Sequence, residues 1–146
     1  MSARPTFETY REEWGEKIVG RVGKKGIDAF LGLKIVAVEA GRMVCEMPVT
    51  EELLTPIGNM HGGCLSALCD HVLGTVMYPV MPKGYWAATT EFKINLLAPV
   101  SGGVCTATAE IISMTRRLAV VRIEVENEGR PAAVAQGTCT IVAPKS

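Results

Sequence analysis

Apolar side chains recur at Phe7, Tyr10, Trp14 and Ile18, a step of three or four residues that predicts an amphipathic N-terminal helix. Pro5 and Thr6 stand just ahead of it, with Thr6 in the place of an N-cap. Gly20, Gly23 and Gly26, together with Lys24 and Lys25, then predict a polar, flexible stretch. Phe30-Leu31-Gly32-Leu33 leads from it into a strand. Residues 33–39 and 43–49 are two β-prone runs parted by Ala40-Gly41-Arg42, the pattern of a hairpin. Residues 50–59, with Pro56 and Gly58, read as a loop feeding a helix.

The second half changes period. In 89–97, Thr90, Phe92, Ile94 and Leu96 alternate with Thr89, Glu91, Lys93 and Asn95, as in a strand with one wet face. Residues 104–112 are apolar or small at nearly every position, which predicts a strand covered on both faces. In 118–126, Ala119, Val121, Ile123 and Val125 oppose Arg122, Glu124 and Glu126. Asn127-Glu128-Gly129-Arg130 predicts a turn, and 132–142 the last strand. The order of helix, two strands, one long apolar helix and four strands predicts an α+β domain, one antiparallel sheet with its helices on one face.

The long apolar helix is the unusual element. Residues 60–81 carry one acid, Asp70, and neither Lys nor Arg. Three glycines, Ser66, two histidines and Pro79 exclude a membrane span. A helix apolar all round is usually wrapped by protein, here by the sheet. A lone carboxylate in such a setting costs several kcal/mol unless paired or hydrogen-bonded. Its i±4 neighbours are Ser66 and Gly74, which cannot pair with it. Either Asp70 points outward or meets an Arg from another strand or subunit, or it does chemical work.

At the head of the same helix, Gly62 and Gly63 bare the first orphan backbone N–H groups, where the helix attracts an oxygen that becomes negative. Asp70 lies eight residues beyond Gly62, roughly 12 Å along the axis. The two cannot touch one atom within a single chain. A site using both requires two copies of the helix meeting across a dimer interface.

Length, charge and cysteines narrow the picture further. The 146 residues suit one domain, and fifteen basic residues balance fifteen acidic ones. That balance argues against nucleic acid or anionic membrane as a partner, while leaving room for a local basic spot. The N-terminus lacks the apolar run of a signal peptide, and five cysteines without a CxxC or Cys/His spacing read as reduced, mostly buried thiols. A cytoplasmic protein without a metal centre is expected. The tempting Cys69-Asp70-His71 run is no triad, because consecutive helical residues project about 100° apart. Cys64 and Cys69 read as structural thiols, and His71 as a core or interface residue.

Thr55-Pro56-x-Gly58-x-x-His61-Gly62-Gly63, with Asp70 nine residues after His61, resembles the hotdog-fold acyl-CoA thioesterases of the phenylacetate-pathway (PaaI) type, which include mammalian acyl-CoA thioesterase 13. The likeness runs from Phe30-Leu31-Gly32-Leu33 to the strand with Ala135-Gln136-Gly137. It implies a curved antiparallel sheet around one long central helix over 30–146, with 1–29 an N-terminal helix and linker. It also implies a homodimer, paired again into a homotetramer, with acyl-CoA as substrate. No separate cofactor is implied, because coenzyme A is part of that substrate.

Several roles follow from the resemblance. The N–H of Gly62 polarises the thioester carbonyl, and Asp70 of the other subunit is nucleophile or general base. Thr89 matches a Ser/Thr that helps hold the attacking water, although an ordinary strand threonine reads the same way. His61 braces the loop and helix start. Thr55 departs from the pattern, standing where most members have Asn or Gln to orient the nucleophile or thioester. Arg116 and Arg117, in a turn, are candidates for the coenzyme phosphates, against the reading of a solvated turn; Leu97-Ala98-Pro99-Val100 would flank the pantetheine. Met77, Tyr78, Met81 and Trp86 fall near the acyl end. Two other classes compare poorly. Hotdog dehydratases use Asp-x-Asn-Pro-x-His, where this chain has Ile57-Gly58-Asn59-Met60-His61, and acyl-CoA sensors usually carry a DNA-binding extension. A degenerate, non-catalytic acyl-CoA binder is the third reading.

Overall fold

The β-prone runs become the six strands of one antiparallel sheet, in a computed structural model that describes residues 7–9 and 13–145. The strands are β1 (Lys34–Glu39), β2 (Arg42–Pro48), β3 (Trp86–Leu96), β4 (Val104–Met114), β5 (Leu118–Asn127) and β6 (Arg130–Val142). Their spatial order is β1-β2-β4-β5-β6-β3. β3 therefore lies beyond three later strands and pairs with β6, and among the described residues no strand pairs with its other side. The curved sheet with one long helix against it is the hotdog fold that the sequence resembles.

Alternation explains which face meets the core. Ala119, Val121, Ile123 and Val125 are buried while Arg122, Glu124 and Glu126 are exposed, as the two-residue period predicts. β4 differs from its expectation. Cys105, Ala107, Ala109 and Ile111 are buried, but Thr106, Thr108 and Glu110 are only partly covered, so small apolar composition imitated a doubly covered strand. β3 differs too. A bulge follows Thr89, and only Phe92 and Ile94 of the expected apolar set are half-buried; Thr90 and Leu96 are exposed. The β5–β6 hairpin turns at Glu128 and Gly129 with φ of 49° and 77°, the doubly positive geometry that suits a right-twisted pair. Asn127 is buried beside it, and its Nδ2 donates to Gly102 O at 2.9 Å and Val104 O at 3.1 Å.

The helices are shorter than the hydrophobic pattern predicts. α1 is Glu13–Ile18, and Phe7 lies outside it; Pro5, Thr6 and Tyr10 lie outside the described residues. Where a flexible stretch is expected, α2 (Gly26–Leu31) forms instead. It closes on Gly32 at φ 66°, with Gly32 N donating to Ala29 O and Leu33 N to Asp28 O. α3 is Gly62–Thr75, fourteen residues rather than the expected span of 60–81. The chain then tightens through Met77 N to Gly74 O, and Pro79 falls in a 3-10 turn over Tyr78–Val80.

α3 packs Leu65, Leu68, Cys69, Val72 and Leu73 on the sheet. It is not wrapped on all sides. The face carrying Gly63 and Asp70 is exposed in the single chain. The helix can lie close because β6 offers Gly137, where a Cβ would fall 2.9 Å from Leu73 Cδ2 and 2.7 Å from Glu91 O.

Candidate active site

The loop before α3 is pinned by backbone bonds. Thr55 N donates to Asn59 O at 2.7 Å, and Gly58, at φ 85°, donates its N–H to Thr55 O at 2.9 Å. Met60 N donates to Val100 O at 2.6 Å and His61 N to Leu53 O at 2.9 Å. The helix therefore starts at a fixed point. His61 caps it, its Nδ1 accepting from Gly63 N at 2.8 Å, so Nδ1 is the unprotonated ring nitrogen. Cys64 N donates to His61 O at 2.9 Å. The Gly62 N–H has no acceptor among the described residues and remains the free donor of the first turn. A Cβ at Gly62 would lie 2.6 Å from Leu96 Cδ1, which places the end of β3 beside this donor.

Asp70 lies further along the same helix with its carboxylate exposed. Of the two readings open to it in the sequence, the outward one describes the single chain. Thr89 pairs with Cys139 across β3 and β6 and hydrogen-bonds its thiol. Burial pushes that thiol up to about 11; the Thr89 bond opposes the shift and the Asp70 charge adds to it. Cys139 itself donates to Leu73 O at 3.4 Å and is inert packing.

His71 is half-buried, with Nδ1 3.5 Å from Asp28 Oδ1 on α2. Burial lowers its pKa, while the Asp28 and Asp70 charges pull it back up. Asp28 is a neighbour that the sequence reading misses. Its signal is the spacing of Ile27, Phe30 and Leu31 between two glycines, a pattern that is legible but short.

The remaining candidates divide. Arg116 and Arg117 are exposed in the turn after β4, and they border a cleft of about 1340 Å³ with Met81, Tyr85 and Ile141. Leu97, Ala98 and Pro99 are exposed beyond the far end of β3, where Leu97 N donates to Ala132 O. The two groups sit at opposite ends of the sheet, roughly 30 Å apart at the standard rise of a strand such as β4, and one chain does not bring them together. Val100 is 2% exposed, so its side chain belongs to the core and not to a channel. Met77 and Met81 are likewise fully buried, and of the four residues expected near the acyl end only Tyr78 and Trp86 reach the surface.

Thr55 lies in the loop before the helix start. Its Oγ1 is buried without a hydrogen-bond partner among the described residues. Among those residues, none of the His, Cys, Asp and Glu side chains gather in threes as a metal site would need, and no helix is long and apolar enough to cross a membrane.

Residues 57–134 match the model of the thioesterase superfamily. The 1,4-dihydroxy-2-naphthoyl-CoA hydrolase of Listeria monocytogenes is 31% identical over 103 residues, covering 70% of this chain and 84% of that one. Human acyl-coenzyme A thioesterase 13 is 26% identical over 127 residues, covering 86% of this chain and 90% of its own. A thioesterase protein of Streptococcus pneumoniae, crystallised with coenzyme A, superposes with a TM-score of 0.71 at 28% identity, covering 78% of this chain and 88% of that one. The matched span includes His61, Gly62, Asp70 and Thr89 and stops short of Thr55.

Proposed function

The chain belongs to the thioesterase superfamily, and from that premise we propose that it hydrolyses an acyl-CoA thioester to a free acid and coenzyme A in a site shared by two subunits. One observation carries the shared site. The free donor at Gly62 and the exposed carboxylate of Asp70 lie on one helix, roughly 12 Å apart along its axis, and among the described residues neither has a hydrogen-bond partner in its own chain. The uncovered edge of β3 supports a two-fold pairing, since an eleven-residue strand left open is a template for another copy. In that homodimer Gly62 of one subunit faces Asp70 of the other, and two dimers form a tetramer.

The chemistry follows from these positions. The Gly62 N–H and the helix terminus stabilise the oxygen that becomes negative as the thioester carbonyl is attacked. Asp70 either takes the proton of a water that attacks the carbonyl carbon, or attacks it directly and forms an anhydride that water then opens. Collapse breaks the C–S bond and releases the coenzyme as its thiolate. Thr89 holds the attacking water, His61 braces the helix start, and Thr55 offers a hydroxyl where the family presents an amide. Arg116 and Arg117 meet the phosphates of the coenzyme, and Leu97, Ala98, Pro99 and the Val100 backbone border the pantetheine. Because those two groups are far apart in one chain, each coenzyme is held by both subunits. The enzyme needs no further cofactor. Its catalytic domain spans 30–146, with 1–29 as an extension. The free, mostly buried thiols support a cytoplasmic location.

Release of free coenzyme A from a panel of aryl- and fatty acyl-CoAs tests the reading. Asp70→Asn is expected to lower kcat by at least a hundredfold, the usual weight of a positioned base. Equal background rates for wild type and variant on every thioester would leave the chain an acyl-CoA binder instead.

A further inference from the structure

β3 presents a patterned edge to solvent. Among the described residues no strand pairs with its outer side, and beyond the bulge after Thr89 its side chains alternate. Phe92, Ile94 and Leu96 stand opposite Gly137, Ala135 and Ala133 of β6 on the helix side of the sheet, where Leu96 meets the start of α3. Glu91, Lys93 and Asn95 lie on the other face and are exposed. Glu91 Oε1 accepts from Thr138 Oγ1 at 2.7 Å, and Lys93 Nζ donates to Asn95 Oδ1 at 3.1 Å. These bonds hold both side chains on the outer face and leave each with further hydrogen-bonding capacity. Neither has an ion-pair partner among the described residues.

We infer that two copies join antiparallel along β3 with Phe92 on the two-fold axis, and that Glu91 of each chain pairs with Lys93 of the partner subunit to set the register that completes the site. This rests on the shared-site reading above, which needs Gly62 of one subunit beside Thr89 and Asp70 of the other. Side chains directly opposite in an antiparallel pair share a face, so the axis must pass through one residue position of each strand. The site confines it further. A Cβ at Gly62 would fall 2.6 Å from Leu96 Cδ1, so Gly62 travels with Leu96. Leu96 must then come within about two positions of Thr89 of the partner subunit, roughly 7 Å at the rise of a strand. Only axes at Phe92 and Lys93 allow this. An axis at Lys93 opposes the two lysines, and like charges directly opposite are destabilising. An axis at Phe92 instead opposes Glu91 and Lys93 twice, and brings together two Phe92 rings that are half-buried in the single chain. A slip of register would separate the charges and carry Gly62 away from its partner at once.

The test is a charge exchange read as the dimer dissociation constant, by sedimentation without substrate. Wild type is compared with Glu91→Lys, Lys93→Glu, the double variant, and an equal mixture of the two single variants. Each single variant opposes like charges at both pairs and should weaken the dimer by about tenfold. The double variant restores both pairs with their signs exchanged, and so does the mixed dimer of the two single variants. Both should return to within about threefold of wild type. A folding defect in either single variant would persist in the mixture and so cannot imitate that recovery. A single variant as tight as wild type, a double variant or mixture that stays weak, or a wild type that remains monomeric overturns the inference. Coenzyme A release is measured apart from assembly. The charge pattern upheld in a chain that hydrolyses no acyl-CoA would keep the register and remove the hydrolase reading, and hydrolysis without the pattern would do the reverse.

Discussion

His71 stands next to Asp70 in sequence but faces α2, where Asp28 lies 3.5 Å from its Nδ1. Burial is the larger influence on this imidazole and lowers its pKa, against the pull of the two carboxylates. The unfolded chain, with an ordinary histidine pKa of about 6.5, then takes up its proton before the folded protein does. Stability from this residue is complete above that pH and falls as the pH drops below it toward the lowered folded value. Melting temperatures measured between pH 7.5 and pH 5 should decline more steeply for wild type than for His71→Gln; parallel curves would remove His71 from the acid response. Asp70 itself is legible in the sequence because a single charge in an apolar run invites a question. Its exposure is not legible, since which face of the helix the sheet covers depends on contacts far along the chain. Thr55 shows a further limit: the resemblance marks it as a departure, while the burial of its hydroxyl is a property of the folded chain.

Elements succeed or fail in the sequence according to how long and how regular they are. The four later strands and the hairpin of β1 and β2 are readable from alternation and turn residues within a few positions. α2 is not, because six residues give less than two turns of periodicity and the glycines around them read as flexibility. The length of α3 is overestimated for the opposite reason: Val76, Met77, Val80 and Met81 continue the apolar run after the helix has ended, because they pack into the core by another route. How close α3 can lie is decided by Gly137. A Cβ there would sit 2.5 Å from Phe92 Cβ and 2.7 Å from the Glu91 carbonyl oxygen, both held by β3. Gly137→Ala should therefore destabilise the fold by about 1–3 kcal/mol, as overpacked cores do. The urea midpoint would report it, and an unchanged midpoint would mean that β3 gives way freely.

The arrangement proposed here makes Gly62 and Asp70 partners only across subunits, and mixing two inactive variants tests that geometry. Gly62→Pro removes the donor at a helical position that tolerates proline, and the preceding His61 already has the extended ψ of 131° that proline requires of its neighbour. A Cβ there meets the flexible end of Leu96, which can move aside. Gly62→Pro and Asp70→Asn are each expected to be inactive alone. Refolded together in equal amounts they should recover about a quarter of wild-type activity, since half of the dimers are mixed and each holds one intact site of two. A mixture as inactive as its components would place both groups of one site in the same chain.

The uncovered edge of β3 carries this into kinetics. If pairing along that strand completes the site, a chain diluted below the dissociation constant of the pair retains its fold and loses its catalyst. The initial rate then grows with the square of enzyme concentration at the dilute end and becomes linear only above it. Turnover per chain is, on that account, a property of abundance as much as of sequence: a thioesterase that switches itself off when scarce.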